Sequence, residues 1–168
     1  MTRTATDLAT DFKAAFREHP AGIALITAAT PDGPVGLTAS SVASVAVDPA
    51  ALVFSVTRTT GSAGRILSAE SFLVHLLDAR HASLAREFAV TGGERFTAAQ
   101  GWRTLDTGEP HLGSARVALR SRSLQQVPVG SSMLVVAEVV EILTGDPVPV
   151  TEPMIYLDRT FRNAGSVL

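Results

Sequence analysis

The sequence predicts a mainly β fold of the α+β class, a closed barrel with short helices at its periphery. Roughly half a dozen short apolar segments are separated by glycine, proline and aspartate turns, and only short helical segments come between them. No G-x-G-x-x-G sequence follows any of these strands, which argues against a doubly wound sheet with a dinucleotide fingerprint.

The composition fits a single domain over residues 1–168, with no linker and no internal repeat. A net charge of -2 at pH 7 indicates no affinity for nucleic acid or for an anionic membrane. Cysteine is absent, which excludes disulfides and thiolate metal sites. Residues 1–16 lack a continuous apolar run, so we expect neither a signal peptide nor a spanning helix, and a cytoplasmic protein.

An amphipathic helix opens the chain, because Leu8, Phe12 and Phe16 recur at four-residue spacing. Pro20 ends this helix, since the residue before a proline avoids helical dihedral angles. The next predicted segments are a buried strand at 22–28, a turn at 31–34 and the hairpin partner strand at 35–39.

Strands and short helices alternate through the rest of the chain, according to the spacing of apolar residues. Small residues and valine alternate over 40–47, and we predict strands at 51–57 and 71–77 and helices at 62–68 and 81–89. Farther on we predict a loop at 101–113, strands at 117–124 and 133–143, a proline-rich turn at 146–149 and a last strand at 154–157.

Three polar segments are candidates for chemistry. Segment 36–44 places small and hydroxyl residues where a strand leaves a tight turn, which suits either a flat ligand or an ordinary polar sheet edge. Segment 57–62 combines hydroxyls, Arg58 and a helix start, which suits either a phosphate or a plain helix cap. Segment 94–96 sets Arg95 beside Phe96, and taken alone it is typical of a surface turn.

Metal and hydrolase chemistry have no support in the sequence. The four histidines show no metal-ligand spacing, so we expect no metal and a structural role for each histidine. No G-x-S-x-G sequence marks a hydrolase nucleophile. Paired acids occur only at spacings typical of solvated helix or strand faces.

Taken in order, several strings resemble the flavin reductase family, in particular the reductase partners of two-component aromatic monooxygenases. The resemblance covers about residues 16–162, and the collinear order of its strings makes it specific. The strings are G-L-T-A-S-S at 36–41, T-R-T-T at 57–60 in place of N-R-S-S, L-x(3)-F-A at 84–89, E-R-F at 94–96, G-W-x(2)-L-x-T-G-x-P-x-L at 101–112, P-V-G at 128–130 and Y-L-D-R-T-F at 156–161.

The resemblance implies a split β-barrel that forms a homodimer and binds FMN, with FAD possible, near the subunit interface. It implies a flavin groove lined by Thr38, Ala39, Ser40, Ser41, Ser55, Val56 and Thr57. It further implies phosphate contacts from Arg58, Thr60, Ser62 and Arg95, pocket walls from Phe88 and Phe96, and closure of the site by Tyr156 and Arg159.

One position departs from the family pattern. After P-V-G the reductases carry a short polar residue and then a histidine near the nicotinamide, whereas this chain has Ser131 and Ser132. A serine donates a hydrogen bond, but it cannot carry the imidazole charge or stack as a ring. Ser132 is therefore the catalytic candidate, and we expect intact flavin binding with slow reduction by nicotinamide.

The primary hypothesis is an NAD(P)H-dependent FMN reductase, in which NADH or NADPH passes hydride to the flavin and reduced flavin leaves for a partner oxygenase. The alternative is an FMN-binding electron-transfer flavoprotein without efficient NAD(P)H reductase activity, which the serine at position 132 favours. A third option, an oxidase related to the pyridoxamine phosphate oxidases, requires basic residues for a second phosphate, and few arginines lie outside the proposed FMN site.

Overall fold

The computed structural model describes residues 5–145 and 152–164. Three α-helices occur there, α1 (Ala5–Arg17), α2 (Gly61–Ser68) and α3 (Ala82–Ala89), with short 3-10 turns at Ala79–His81 and Ala98–Gln100. The strands in the same residues are β1 (Ala21–Gly22), β2 (Ala24–Thr30), β3 (Gly33–Ala39), β4 (Ala43–Val47), β5 (Ala50–Val56), β6 (Phe72–Leu76), β7 (Trp102–Thr104), β8 (Pro110–Leu112), β9 (Val117–Val129), β10 (Ser132–Thr144), β11 (Met154–Leu157) and β12 (Thr160–Asn163).

A seven-stranded antiparallel sheet forms the body of the molecule, in the order β3-β2-β6-β9-β10-β5-β4. The sheet curls until its edge strand β3 contacts β5, but the two strands do not pair. The Ser41 hydroxyl bridges this gap, donating to the Ser55 carbonyl at 3.1 Å and accepting from the Ser55 N–H at 2.9 Å. The barrel is therefore split and not closed as the strand pattern predicts, because β3 and β5 do not pair. The predicted mainly β fold and the split barrel that the family resemblance implies are confirmed.

The strand alternation of β2 separates two cores. Ala24 and Ile26 point into the barrel, where Phe54 and Phe72 meet edge to face with ring centroids 5.5 Å apart. Leu25 points to the opposite side of the sheet, into a second core beneath α3 and the small sheet β1-β11-β12. Both faces of β2 are thus covered, which explains its continuous apolar sequence.

A neutral histidine joins the sheet to the second core. His75 is fully buried on β6, where its Nδ1–H donates to the Leu25 carbonyl at 3.0 Å and its Nε2 accepts from the Leu112 N–H at 3.1 Å. Burial lowers the pKa of His75 to about 3, so the ring stays neutral and both nitrogens are satisfied. His75 has the structural role that the sequence predicts.

A buried carboxylate holds the outer hairpin against the sheet. Glu109 is 1% exposed and accepts hydrogen bonds from Ser71, Thr107 and Arg120, whose Nε lies 2.7 Å from Oε1. Burial alone raises the pKa of this carboxyl, but the three donors outweigh it and hold the pKa below its usual range. The carboxylate therefore stabilises the fold above the ordinary carboxyl range, and this contribution is lost as the pH falls.

Helix α3 approaches strand β3 closely because residue 36 is a glycine. A Cβ on Gly36 would lie 2.7 Å from Cε1 of Phe88 and 3.2 Å from Cζ of Phe96. The Phe88 ring is 2% exposed and meets the ring of Phe96 edge to face at 5.1 Å. This contact fixes the wall that α3 provides beside β3.

Two sequence predictions were wrong and one lies outside the described residues. The predicted loop 101–113 contains the hairpin β7-β8, and β12 was not predicted. These strands are three or four residues long, too short for a period-two pattern to show. The predicted turn 146–149 falls in the segment that the structure does not describe.

Glu109→Gln is expected to lower the free energy of unfolding at neutral pH by about 3 kcal/mol or more, because Arg120 keeps its nearly buried position and loses its counter-charge. The same change should flatten the dependence of stability on pH as acid is added, since the titrating carboxyl is gone. Urea unfolding over a pH series measures both effects. Glu70→Gln is the control, because Glu70 is exposed and lies 3.9 Å from Arg122; equal losses for the two variants would contradict the account.

Gly36→Ala is expected to lower the free energy of unfolding by about 1–3 kcal/mol, because the added methyl overlaps the Phe88 ring. Gly22→Ala is the matched control, since it also lies in a strand and its Cβ would meet nothing within 4 Å. Thermal and denaturant unfolding of both variants test this contact. If the two glycine variants are equally stable, the Phe88 ring does not pack against Gly36.

Candidate functional site

The candidate site is a cleft between α3, the end of β3 and the β11-β12 hairpin. It consists of two cavities of about 510 Å³ and about 800 Å³ that share Ser40, Tyr156 and Arg159 in their linings. Six of the predicted flavin residues meet here, although they lie far apart in the sequence: Thr38, Ser40, Ser41, Ser55, Tyr156 and Arg159.

The strand alternation of β3 decides which of its side chains face the cleft. Thr38 and Ser40 line the cavity beside α3, and the Thr38 hydroxyl donates to the Ala85 carbonyl at 2.7 Å. Ala39 points into the barrel core and is 6% exposed. Its methyl group therefore faces away from the cleft, and only the backbone of residue 39 is available on that side.

The end of β5 adjoins the segment that follows β3 and lines the larger cavity with it. Ser55 lines the larger cavity, whereas the Val56 side chain lies in the barrel core at 4% exposure. Thr57 and Arg58 follow the strand and are exposed to solvent. The Ser41 hydroxyl is hydrogen-bonded to the backbone of Ser55, so two residues that line the cavity also bridge the gap in the barrel.

The β11-β12 turn places Arg159 at the mouth of the cleft. Asp158 and Arg159 both adopt left-handed backbone conformations, with φ of 49° and 57°. Such a conformation costs about 1 kcal/mol or more for a residue other than glycine, and it persists where neighbours impose it. The end of α1 does so here, because Arg17 pairs with the Asp158 carboxylate and the Asp158 N–H donates to the Arg17 carbonyl at 2.9 Å.

Arg95 lies behind the cleft and contacts β3, α2 and the end of α3. Its guanidinium donates to the Gly36 carbonyl and the Ser62 hydroxyl, each at 3.1 Å, and to the Phe88 and Val90 carbonyls. Among the described residues it forms no ion pair, and its buried Nε–H has no hydrogen-bond partner. The cation keeps an uncompensated charge at the start of α2.

The remaining predicted residues lie apart from the cleft lining. Phe88 and Phe96 pack with Trp102 in the second core, and Thr60 lines a separate cavity of about 480 Å³ at the start of α2. Ser132 is half-buried and begins β10. Because Met133 pairs with Val56, Ser132 lies one residue beyond the end of β5, and neither cavity of the cleft includes it.

Several residues of the cleft lining were not predicted from the sequence, and Arg86 and Phe161 are the two that contact each other. Arg86, on α3, and Phe161, on β12, line the smaller cavity, and the Arg86 guanidinium carbon lies 5.5 Å from the centre of the Phe161 ring. Arg86 occupies one of the unspecified positions of the L-x(3)-F-A string, so the motif did not mark it. Phe161 belongs to the Y-L-D-R-T-F string and was available as a signal.

None of the helices in residues 5–145 and 152–164 combines the length and apolar character that a membrane span requires. Within the same ranges, no three His, Asp or Glu side chains form a group that could hold a metal ion.

Comparison with known proteins gives consistent results. An NADH:FMN oxidoreductase from Rhodococcus qingshengii is 36% identical over 147 residues, covering 87% of this chain and 77% of the relative. The FMN reductase (NADH) RutF from Bradyrhizobium diazoefficiens is 31% identical over 157 residues, covering 92% and 85% of the two chains. The crystal structure of a flavin reductase domain protein from Arthrobacter sp. FB24 superposes with a TM-score of 0.84 at 28% identity, covering 95% and 97%.

The family model described as the flavin reductase like domain matches residues 16–165, nearly the whole chain. The matched span contains the split barrel and every residue that lines the cleft apart from Phe12 and Lys13. The chain belongs to the flavin reductase like domain family.

Proposed function

We propose that this protein reduces FMN with NADH and releases reduced flavin. The observation that supports the proposal is the cleft itself, which brings Ser40 at the end of β3 and Ser55 on β5 together with Tyr156 and Arg159. The relative from Rhodococcus qingshengii, which carries the same activity in its name, supports the choice of FMN and NADH. In this reaction bound nicotinamide supplies a hydride and bound flavin accepts it.

The chain contributes binding, alignment and exclusion of water. The β3 segment offers a flat ligand the backbone of residue 39 and the small side chains of Thr38, Ser40 and Ser41. Tyr156 and Phe161, whose ring centroids lie 5.3 Å apart, provide an apolar wall on the opposite side. Alignment of two planar reactants in such a cleft lowers the barrier without an acid or a base.

The flavin phosphate is proposed to bind near Arg95 and Ser62. Their 3.1 Å hydrogen bond at the start of α2 supports this role, as does the unpartnered Nε–H of Arg95. Arg58 and Thr60 are both exposed in the same region and complete the proposed phosphate set. Phe88 and Phe96 are proposed to support this wall from behind.

A homodimer is proposed because a large apolar surface lies open beside the cleft. Leu8, Phe12 and Phe16 of α1 are 60–61% exposed, and Phe12 and Phe16 line the larger cavity. An amphipathic helix gains stability by burying its apolar face, and a second subunit would cover it. An oxygenase that takes up the reduced flavin and a cytoplasmic location stay predictions from the sequence.

A second function, electron transfer by tightly held FMN, is favoured by one observation. Ser132 takes the place of the family histidine and lies outside both cavities of the cleft. If reduction by nicotinamide is slow for this reason, the flavin would receive electrons from another source. For the reductase, FAD as the alternative to FMN and NADPH as the alternative to NADH stay predictions from the sequence.

Wild-type protein mixed with FMN and NADH without oxygen is expected to bleach the visible flavin absorbance over many turnovers. NADPH run in parallel gives the nucleotide preference. Bleaching no faster than in a protein-free mixture would contradict the reductase. Tight flavin binding combined with that result would support the electron-transfer protein instead.

Arg58→Ala is expected to lower the affinity for FMN about tenfold. The affinity for riboflavin, which has no phosphate, should be nearly unchanged. Arg95→Ala should do the same and should also lower the melting temperature, because four protein acceptors lose their donor. Fluorescence titration with both flavins, beside an Arg122→Ala control on the exposed Arg122, makes the measurement. Equal weakening of FMN and riboflavin would remove that arginine from the phosphate site.

Ser132→His is expected to raise the rate of flavin reduction several-fold, since one stacking or hydrogen-bonding contact contributes about 1 kcal/mol. FMN affinity should stay unchanged. Stopped-flow reduction over a range of NADH and NADPH concentrations compares the two proteins, with Ser131→His as the neighbouring control. An unchanged limiting rate together with an unchanged nucleotide dependence would place the nicotinamide away from Ser132.

A further inference from the structure

The smaller cavity of the cleft is positively charged. Arg86 approaches from α3 and Arg159 from the β11-β12 turn, and the lining contains no aspartate or glutamate. The acids nearest to these two residues in the sequence have other partners: Glu87 accepts from Gln100 at 2.7 Å, and Asp158 pairs with Arg17. No ion pair within residues 5–145 and 152–164 neutralises either arginine.

Both arginines are exposed at the cavity and available to a ligand. The Arg86 guanidinium carbon lies 5.5 Å from the centre of the Phe161 ring, a contact that favours this position of the side chain. The backbone of Arg159 is held in its left-handed turn by the contacts between Arg17 and Asp158. Two guanidinium groups that line one cavity can bind the same anion through charge-assisted hydrogen bonds.

The rest of the cavity fits a nucleotide that carries a phosphate. Tyr156 and Phe161 supply aromatic surface, Thr160 and Ser40 supply hydroxyls, and Ile23 closes the apolar end. A volume of about 510 Å³ is in the range of sites for small organic ligands. An inorganic cation or a neutral hydrophobic ligand does not match two uncompensated arginines.

We propose that Arg86 and Arg159 together bind the phosphate or diphosphate group of a nucleotide ligand in this cavity. The inference rests on the proposed function and extends it, because Arg86 is not among the phosphate residues that the family resemblance implies. Two ligands of the reaction carry this chemistry. The group is either the monophosphate of FMN or the diphosphate of the nicotinamide dinucleotide.

Arg86→Gln is the test variant, since glutamine keeps much of the stem and removes the charge. Arg122→Gln is the matched control, because Arg122 is exposed and belongs to neither cavity of the cleft. Fluorescence titration measures affinity for FMN and riboflavin. Calorimetric titration measures affinity for ADP-ribose, which carries the dinucleotide's diphosphate and transfers no hydride.

Arg86→Gln is expected to lower the affinity for either FMN or ADP-ribose by about tenfold or more. A loss for FMN without a loss for riboflavin assigns the cavity to the flavin phosphate, and a loss for ADP-ribose assigns it to the dinucleotide. Arg86→Lys, which keeps the charge, should recover part of either loss. Arg159→Gln should weaken the same ligand as Arg86→Gln.

Unchanged affinity for all three probes, in a variant that melts like the Arg122→Gln control, would overturn the proposal. Wild-type protein that binds none of the probes would overturn it as well. If the wild type does not reduce flavin but Arg86→Gln still weakens ADP-ribose, the anion site stands and the proposed reductase activity fails. Equal losses for FMN and riboflavin would show a collapsed cleft and count against a phosphate role.

Discussion

The cleft exists because the ring of Phe88 packs directly on the backbone of Gly36. This contact brings α3 against the outer face of β3, and any side chain at position 36 would separate them. Arg95 reinforces the same junction by binding the Gly36 and Phe88 carbonyls and by lying 5.4 Å above the Phe88 ring. The positions of Thr38 and Ser40 relative to α3 follow from this junction.

Two buried polar groups attach the outer layer to the barrel. His75 connects β6 to β2 and to Leu112, and Glu109 connects the β7-β8 hairpin to Arg120 on β9. Both act in the same direction with pH, because His75 must stay neutral and Glu109 must stay charged. Acid therefore weakens the attachment of this outer layer to the barrel.

The strand pattern and the turn residues were enough to predict the barrel, because most strands are long enough for alternation to show. The site could be predicted only through the order of several weak strings, since Ser40 and Tyr156 meet through tertiary structure. Period-two alternation places Val56 on the same side of β5 as Phe54, inside the barrel, and Ala39 also lies in that core. Their assignment to the flavin groove came from the family resemblance and not from the strand pattern. Arg86 was not predicted because an exposed arginine on a helix looks in the sequence like any solvated arginine.

The proposed function requires a flavin to lie in the cleft along the end of β3. A crystal structure of the protein with FMN tests it most directly. We expect the isoalloxazine ring to lie against residues 38–41, with Tyr156 and Arg159 at its edge. An isoalloxazine bound away from residues 38–41, with this cleft unaltered, would contradict it.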